Sequence, residues 1–171
     1  MLRRTIGIAL AVTLLPFTVG AQAPVPPTVK EAPKEAKETP KAPKVYVPGL
    51  EQFMNLILIE HNKLWFAGRA RNWPLAAYEL GEIKEVMSDV QDHVPTFKNL
   101  PLSDMLDAVI TKEVAVLEKA VDAKDVKTFA AGYDQLTAAC NACHQGTENG
   151  FIVIKRPTQP AITNQEYRSR K

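Results

Sequence analysis

Four stretches of the sequence repeat large apolar residues every three or four positions, which is the spacing of one face of an α-helix. The first stretch carries this pattern through Leu50, Met54, Ile57, His61, Leu64 and Trp65. The other three carry it through Ala77, Leu80, Ile83, Met87 and Val90, then through Leu106, Ile110, Leu117 and Val121, and then through Phe129, Tyr133, Leu136, Cys140 and His144. No convincing alternation of apolar and polar residues, which would indicate a strand, appears between them. The pattern predicts an all-α fold, an antiparallel four-helix bundle with short turns.

Residues typical of helix ends divide the chain in the same way. The first helix is expected to end near Gly68, and the second to begin at Asn72, a good N-cap, with Pro74 in its first turn. Pro95 stops the second helix, and Asp125 is placed to cap the fourth. The predicted helices are therefore separate elements joined by short connections.

Both cysteines of the chain lie near the end of the fourth predicted helix, in the motif CNACH formed by residues 140–144. Cys140 and Cys143 are one helical turn apart, and His144 is on the same side of the helix. Two thiols and an imidazole so arranged can hold a flat macrocycle, which favours a covalent haem site. A disulfide would strain a continuing helix, and a zinc site would require four ligands, with only His93 as a further candidate. These two alternatives remain open.

The region before the predicted helices divides into two segments. Residues 1–23 have the features of a secretory signal peptide: two early arginines, an apolar run from about residue 6 to 19, and small residues before a cleavage site at Ala23. The apolar run is shorter than the roughly 20 residues that span a bilayer. We therefore expect export to the periplasm, where disulfides persist and c-type haem is attached, with no membrane span.

Residues 24–48 contain seven prolines together with many lysines and glutamates. Such a segment buries too little apolar surface to order itself, so we expect a disordered linker. A helical domain then spans 49–150, and a basic C-terminal extension spans 151–171.

The charge distribution argues against nucleic-acid binding. Residues 49–154 hold nine basic and fifteen acidic residues, whereas residues 155–171 hold five basic and one acidic. No continuous basic surface is expected from this distribution. Near His61 and His144 there is also no serine or pair of acids at helical spacing that would suggest a nucleophile and a base, so we do not expect an enzyme.

The motif CNACH at the end of the last of four predicted helices, preceded by an exported leader, resembles the cytochrome c prime family and its low-spin relatives. The resemblance covers about residues 50–147 and lies in the topology; only CNACH is individually specific. It implies one covalently attached haem c per chain, with thioether bonds to Cys140 and Cys143 and with His144 as the proximal iron ligand. The turn GRARNW is tight where the family often has a longer crossover, and the C-terminal extension passes the family's usual end.

The sixth iron ligand would decide the function. At ~1.5 Å per residue along each helix, His144 lies roughly 27 Å from one end of the predicted bundle, Met54 roughly 21 Å and His61 about 10 Å. Side chains lean toward the start of their helix, so Met54 is the expected distal ligand, with Met87 at nearly the same height and His93 as a further candidate. In the family, too, the distal residue comes from the first helix.

Three functions are compatible with these residues. A haem with His144 and Met54 as ligands would make the chain an electron-transfer protein that exchanges electrons with redox partner proteins. An open distal face would instead bind diatomic gases such as NO or CO, and a third hypothesis makes the chain the haem subunit of a larger periplasmic complex. The sequence leaves open whether two copies pair as a homodimer through helices 1 and 2.

Overall fold

The first two amphipathic stretches form α1, Leu50–Arg69, and α2, Trp73–His93, in a computed structural model that describes Gly20 and residues 46–169. The two helices pack against each other across a three-residue turn. The predicted cap of α2 is confirmed, because Asn72 Oδ1 accepts a hydrogen bond from Leu75 N–H at 3.4 Å. Arg71, with φ of 59°, adopts the left-handed conformation that reverses the chain at this point.

The third helix, α3, contains a π-helical turn. It consists of Leu102–Val109, the π-helical segment Ile110–Val114 and the α-helical segment Ala115–Asp122. The hydroxyl of Thr111 donates to the carbonyl of Asp107 at 2.9 Å, a side-chain bond that competes with the regular helix ladder. Periodicity predicts helix here but not the change of helix type.

The fourth helix, α4, spans Val126–Gly146 and carries the CNACH motif in its last two turns. Asp125 caps it as predicted, accepting from Lys127 N–H at 2.9 Å. Each helix packs against two others: α1 against α2 and α4, and α3 likewise against α2 and α4. The described residues are thus all-helical, without any β-strand element, and their ring of contacts fits a four-helix arrangement.

The core lies between the helices and uses the predicted apolar faces with one exception. In α2 the buried alanine is Ala76, whereas Ala77 is exposed, so the predicted stripe was one position off at its start. The largest fully buried apolar side chains are Tyr133, Phe129, Leu64, Leu80, Ile83, Leu117 and Leu136. In the part of the chain that is described, no helix combines the length and apolar character needed to cross a membrane.

The described part of the C-terminal extension, residues 151–169, packs onto the helices without regular secondary structure and belongs to the same compact unit as they do. We call residues 151–167 the strap. Tyr167 at its far end is buried and contacts Phe66 of α1, with ring centroids 5.7 Å apart. Three parts of the chain lie outside the described residues: the predicted signal peptide except for Gly20, the predicted linker up to residue 45, and residues 170–171.

Candidate functional site

A cavity of about 440 Å³ opens between α1, α3, α4 and the start of the strap. Its walls are mostly apolar and include Leu50, Ile57, Leu58, Phe97, Leu102, Leu106 and Val109. Both cysteines and His144 line it from α4, and Met54 lines it from α1. The structure therefore brings together at one cavity all four residues that the sequence singled out for a haem site.

The two thiols share one wall of the cavity and are not bonded to each other. Burial raises the pKa of Cys140 to about 11, and burial also raises the pKa of the Cys143 thiol. Both sulfurs are therefore neutral at physiological pH. Thiolate, the form that binds zinc, is disfavoured in these surroundings, whereas a neutral thioether suits them.

His144 has one ring nitrogen committed to the backbone of the strap. Its Nδ1 lies 2.8 Å from the carbonyl oxygen of Ile152, and a carbonyl can only accept a hydrogen bond. Nδ1 must therefore carry the proton. The lone pair remains on Nε2, which is the nitrogen available to a metal ion.

The beginning of the strap contributes to one side of the cavity. Ile152 and Ile154 line the cavity, although Ile152 is also 47% exposed, whereas Phe151 and Val153 are 81% and 70% exposed. Residues 151–171 were predicted to lie beyond the helical domain, and Ile152 and Ile154 of this extension form part of the wall of the site.

Two methionines line the cavity. Met54 is half-buried on α1, and Met87 is 3% exposed and comes from α2. More of the lining residues come from α1 than from any other helix, and Met87 is the contribution of α2. His93, the other candidate from the sequence, is exposed, does not line the cavity, and hydrogen-bonds through Nδ1 to the carbonyl of Asp89 at 2.9 Å.

His61 also lines the cavity, but both of its ring nitrogens are occupied. The Thr137 hydroxyl donates a hydrogen bond to the carbonyl of Tyr133 at 2.8 Å. The Thr137 oxygen can therefore only accept from the imidazole, and His61 Nε2–H donates to it at 3.0 Å. Nδ1 then accepts from the Tyr133 hydroxyl at 2.8 Å. Burial lowers the pKa of His61 to about 4, which keeps the ring neutral. His61 is thus a hydrogen-bonded core histidine beside the cavity.

Comparison of the chain with protein-family models, curated proteins and solved structures found no match. Within residues 46–169 and at Gly20, no group of three or more His, Cys, Asp or Glu side chains is arranged to hold a metal ion. The chemistry of the site therefore has to be inferred from the cavity and the residues that line it.

Proposed function

We propose that the chain is a monohaem c-type cytochrome that transfers electrons, built on an antiparallel four-helix bundle of the cytochrome c prime type. The observation that carries the proposal is the meeting of Cys140, Cys143 and His144 on the wall of one apolar cavity, with Met54 on another helix lining the same space. A site of this size and apolar character, with a few polar groups, is typical of a bound cofactor.

The residues present fit a covalently bound haem. Cys140 and Cys143 would hold it through thioether bonds, and the uncharged state that burial imposes on both sulfurs is compatible with such bonds. His144 would supply the proximal nitrogen, since its other nitrogen is already committed to Ile152. Met54 is the proposed distal ligand.

When bound, haem would supply one-electron chemistry by exchange between ferric and ferrous iron. The protein's residues would exclude water through the apolar walls and favour the ferrous state through the soft thioether of Met54. Packed helices form most of the walls and limit rearrangement of the site, which suits a carrier rather than an enzyme. Export to the periplasm and transfer to redox partner proteins are part of the same proposal.

The proposal is tested by producing the full chain in cells that attach c-type haem and by measuring haem that survives denaturation. We expect one haem per chain in the unaltered protein, loss of covalent haem in the double variant Cys140→Ala with Cys143→Ala, and retention in Met54→Ala. Retention of haem by the double variant after denaturation, or a chain that takes up no haem, would overturn the proposal.

Spectra of the oxidised and reduced protein with and without carbon monoxide separate the two haem functions. A thioether-to-iron charge-transfer band without rapid carbon monoxide binding supports electron transfer. A high-spin spectrum that shifts at once with carbon monoxide would replace electron transfer by gas binding.

A further inference from the structure

The strap is fastened at several points, and one of them lies inside the CNACH motif. Asn141, between the two cysteines, donates from Nδ2 to the carbonyl of Ile154 at 2.8 Å and accepts at Oδ1 from Ile154 N–H at 2.8 Å. One side-chain amide thus pairs with both backbone groups of a single residue. These two hydrogen bonds fix the position of the strap along α4 and its distance from that helix.

The carbonyl that accepts the hydrogen bond from His144 belongs to Ile152, two positions before Ile154. His144 contacts the carbonyl of Ile152 and Asn141 contacts the backbone of Ile154, so the two contacts lie two residues apart on the strap. Asn141 and His144 are themselves three residues apart on α4, and therefore neighbours on its surface. The two contacts form one continuous pairing between α4 and the strap.

We infer that Asn141 is a positioning residue that, through the strap, holds the Ile152 carbonyl against His144 and so sets both the tautomer and the donor strength of the proximal imidazole. The inference rests on the proposed function, which makes His144 an iron ligand. A hydrogen bond from the remote ring nitrogen raises the basicity of a metal-bound imidazole. A more basic ligand favours ferric iron, so the Asn141 contact lowers the reduction potential.

The chain contains a matched control for this contact. Asn62 on α1 also makes two hydrogen bonds with the strap, at a point farther along the chain. Its Nδ2 donates to the carbonyl of Gln159 at 3.2 Å, and its Oδ1 accepts from Ala161 N–H at 2.8 Å. Asn62 makes no hydrogen bond with the part of the strap that His144 contacts. Replacing Asn62 therefore removes two hydrogen bonds to the strap but leaves the hydrogen bond between His144 and Ile152 in place.

Two measurements on Asn141→Ala and Asn62→Ala test the inference. The first uses the haem-free chain at pH 8, where an ordinary imidazole is neutral, and reads the His144 tautomer from its side-chain ¹⁵N shifts. We expect the unaltered chain and Asn62→Ala to hold the proton on Nδ1, and Asn141→Ala to show a mixture of tautomers. The second measures the reduction midpoint of the haem-loaded proteins.

For the midpoint we expect Asn141→Ala to shift the ratio of reduced to oxidised protein about tenfold toward the reduced form, which takes as its scale the smallest usual effect of such outer contacts on metal affinity. That corresponds to about 59 mV for one electron. We expect Asn62→Ala to leave the midpoint unchanged. Equal shifts in both variants, or an unaltered tautomer and midpoint in Asn141→Ala, would overturn the inference.

A second variant covers the case in which Asn141→Ala does not fold. Asn141→Asp keeps the size of the side chain and an acceptor for Ile154 N–H, but its carboxylate cannot donate to the Ile154 carbonyl. We expect mixed His144 tautomers in this haem-free variant, and a single Nδ1–H tautomer would again overturn the inference. Failure of the chain to bind haem would contradict the proposed function, while the haem-free tautomer measurement would still test the role of Asn141.

Discussion

The Tyr133 hydroxyl lies 2.8 Å from His61 Nδ1, and the two rings stack with centroids 4.3 Å apart. The same hydroxyl lies 3.0 Å from the His61 carbonyl, and its single proton is shared between these two acceptors in a bifurcated hydrogen bond that links α4 to α1. The pair is buried beneath the cavity. Its hydrogen bonds therefore stabilise the helix contact on which the cavity rests.

Tyr133→Phe keeps the stacked ring but leaves the buried Nδ1 of His61 without its donor. Because an unsatisfied buried polar group costs its full desolvation, we expect a loss of about 1–3 kcal/mol in the free energy of unfolding, measured by urea denaturation. Tyr78→Phe is the control, since Tyr78 is 58% exposed and its hydroxyl is accessible to water. Equal stability of the Tyr133→Phe variant and the unaltered protein would contradict the proposed hydrogen bonding.

A second buried polar group lies between α1, α2 and the strap. Glu79 is fully buried, Lys63 Nζ lies 2.6 Å from its Oε2, and Gln165 of the strap donates to its Oε1 at 3.3 Å. Burial and a hydrogen bond with the neighbouring carboxyl of Glu60 raise the pKa of Glu79 to about 7, while the nearby ammonium of Lys63 acts in the opposite direction. At pH values between 4.5 and about 7, Glu79 is therefore protonated in the folded chain and ionised in the unfolded chain.

The sign of the resulting pH dependence follows from these two states. Between the ordinary pKa of 4.5 and about 7 the folded state binds more protons at Glu79, so its contribution to stability falls as the pH rises. His61 acts in the opposite direction, because its pKa falls from 6.5 to about 4 on folding, and its contribution is lost as the pH drops through that window. The two effects oppose each other between about pH 4.5 and 6.5.

We expect Glu79→Gln to unmask the effect of His61. The unaltered protein should change little in stability between pH 4.5 and 6.5, whereas the variant should lose stability steadily as the pH falls, by at most about 1.4 kcal/mol per pH unit. The measurement is urea denaturation at several pH values, with Glu85→Gln at an exposed position of α2 as control. Parallel pH profiles for the unaltered protein and Glu79→Gln would refute the raised pKa.

The sequence predicted the parts of this structure that side-chain patterns encode. Periodicity located the helices, Asn72 and Asp125 were correctly identified as caps, and the CNACH spacing brought two thiols and an imidazole to one wall. The π-helical turn was not predictable, because Thr111 and its neighbours occur equally well in regular helices.

The partners that complete the site were harder to predict. His144 binds a backbone carbonyl, which every residue has, so nothing in the side chain of Ile152 indicates the contact. Glu79 looks like a surface residue until Lys63 and Gln165 from other parts of the chain are placed beside it. Residues 151–154 are all apolar, so the sequence does not show which of these side chains line the cavity.

Gly68 of α1 lies directly against the ring of Phe129 on α4. A Cβ at this position would lie 2.2 Å from the ring of Phe129, which is itself fully buried and packed beside Trp65 and Trp73. We expect Gly68→Ala to destabilise the fold by about 1–3 kcal/mol through overpacking, measured by thermal and urea unfolding. Gly81→Ala is the control: nothing lies within 4 Å of its Cβ, so the helix should gain up to about 1 kcal/mol. A neutral Gly68→Ala variant would mean that the two helices are farther apart.

Met54 and Met87 both line the cavity, and replacing each in turn decides which one serves as the proposed ligand. Met54 is half-buried on α1, which packs directly against α4, whereas Met87 is 3% exposed and packed into the core. We expect Met54→Ala to abolish the thioether-to-iron band of the oxidised protein and to admit carbon monoxide after reduction, with little loss of stability. We expect Met87→Ala to keep the band but to lower the free energy of unfolding by about 2–5 kcal/mol, since it leaves a buried cavity. Loss of the band in Met87→Ala with its retention in Met54→Ala would transfer the ligand role to α2.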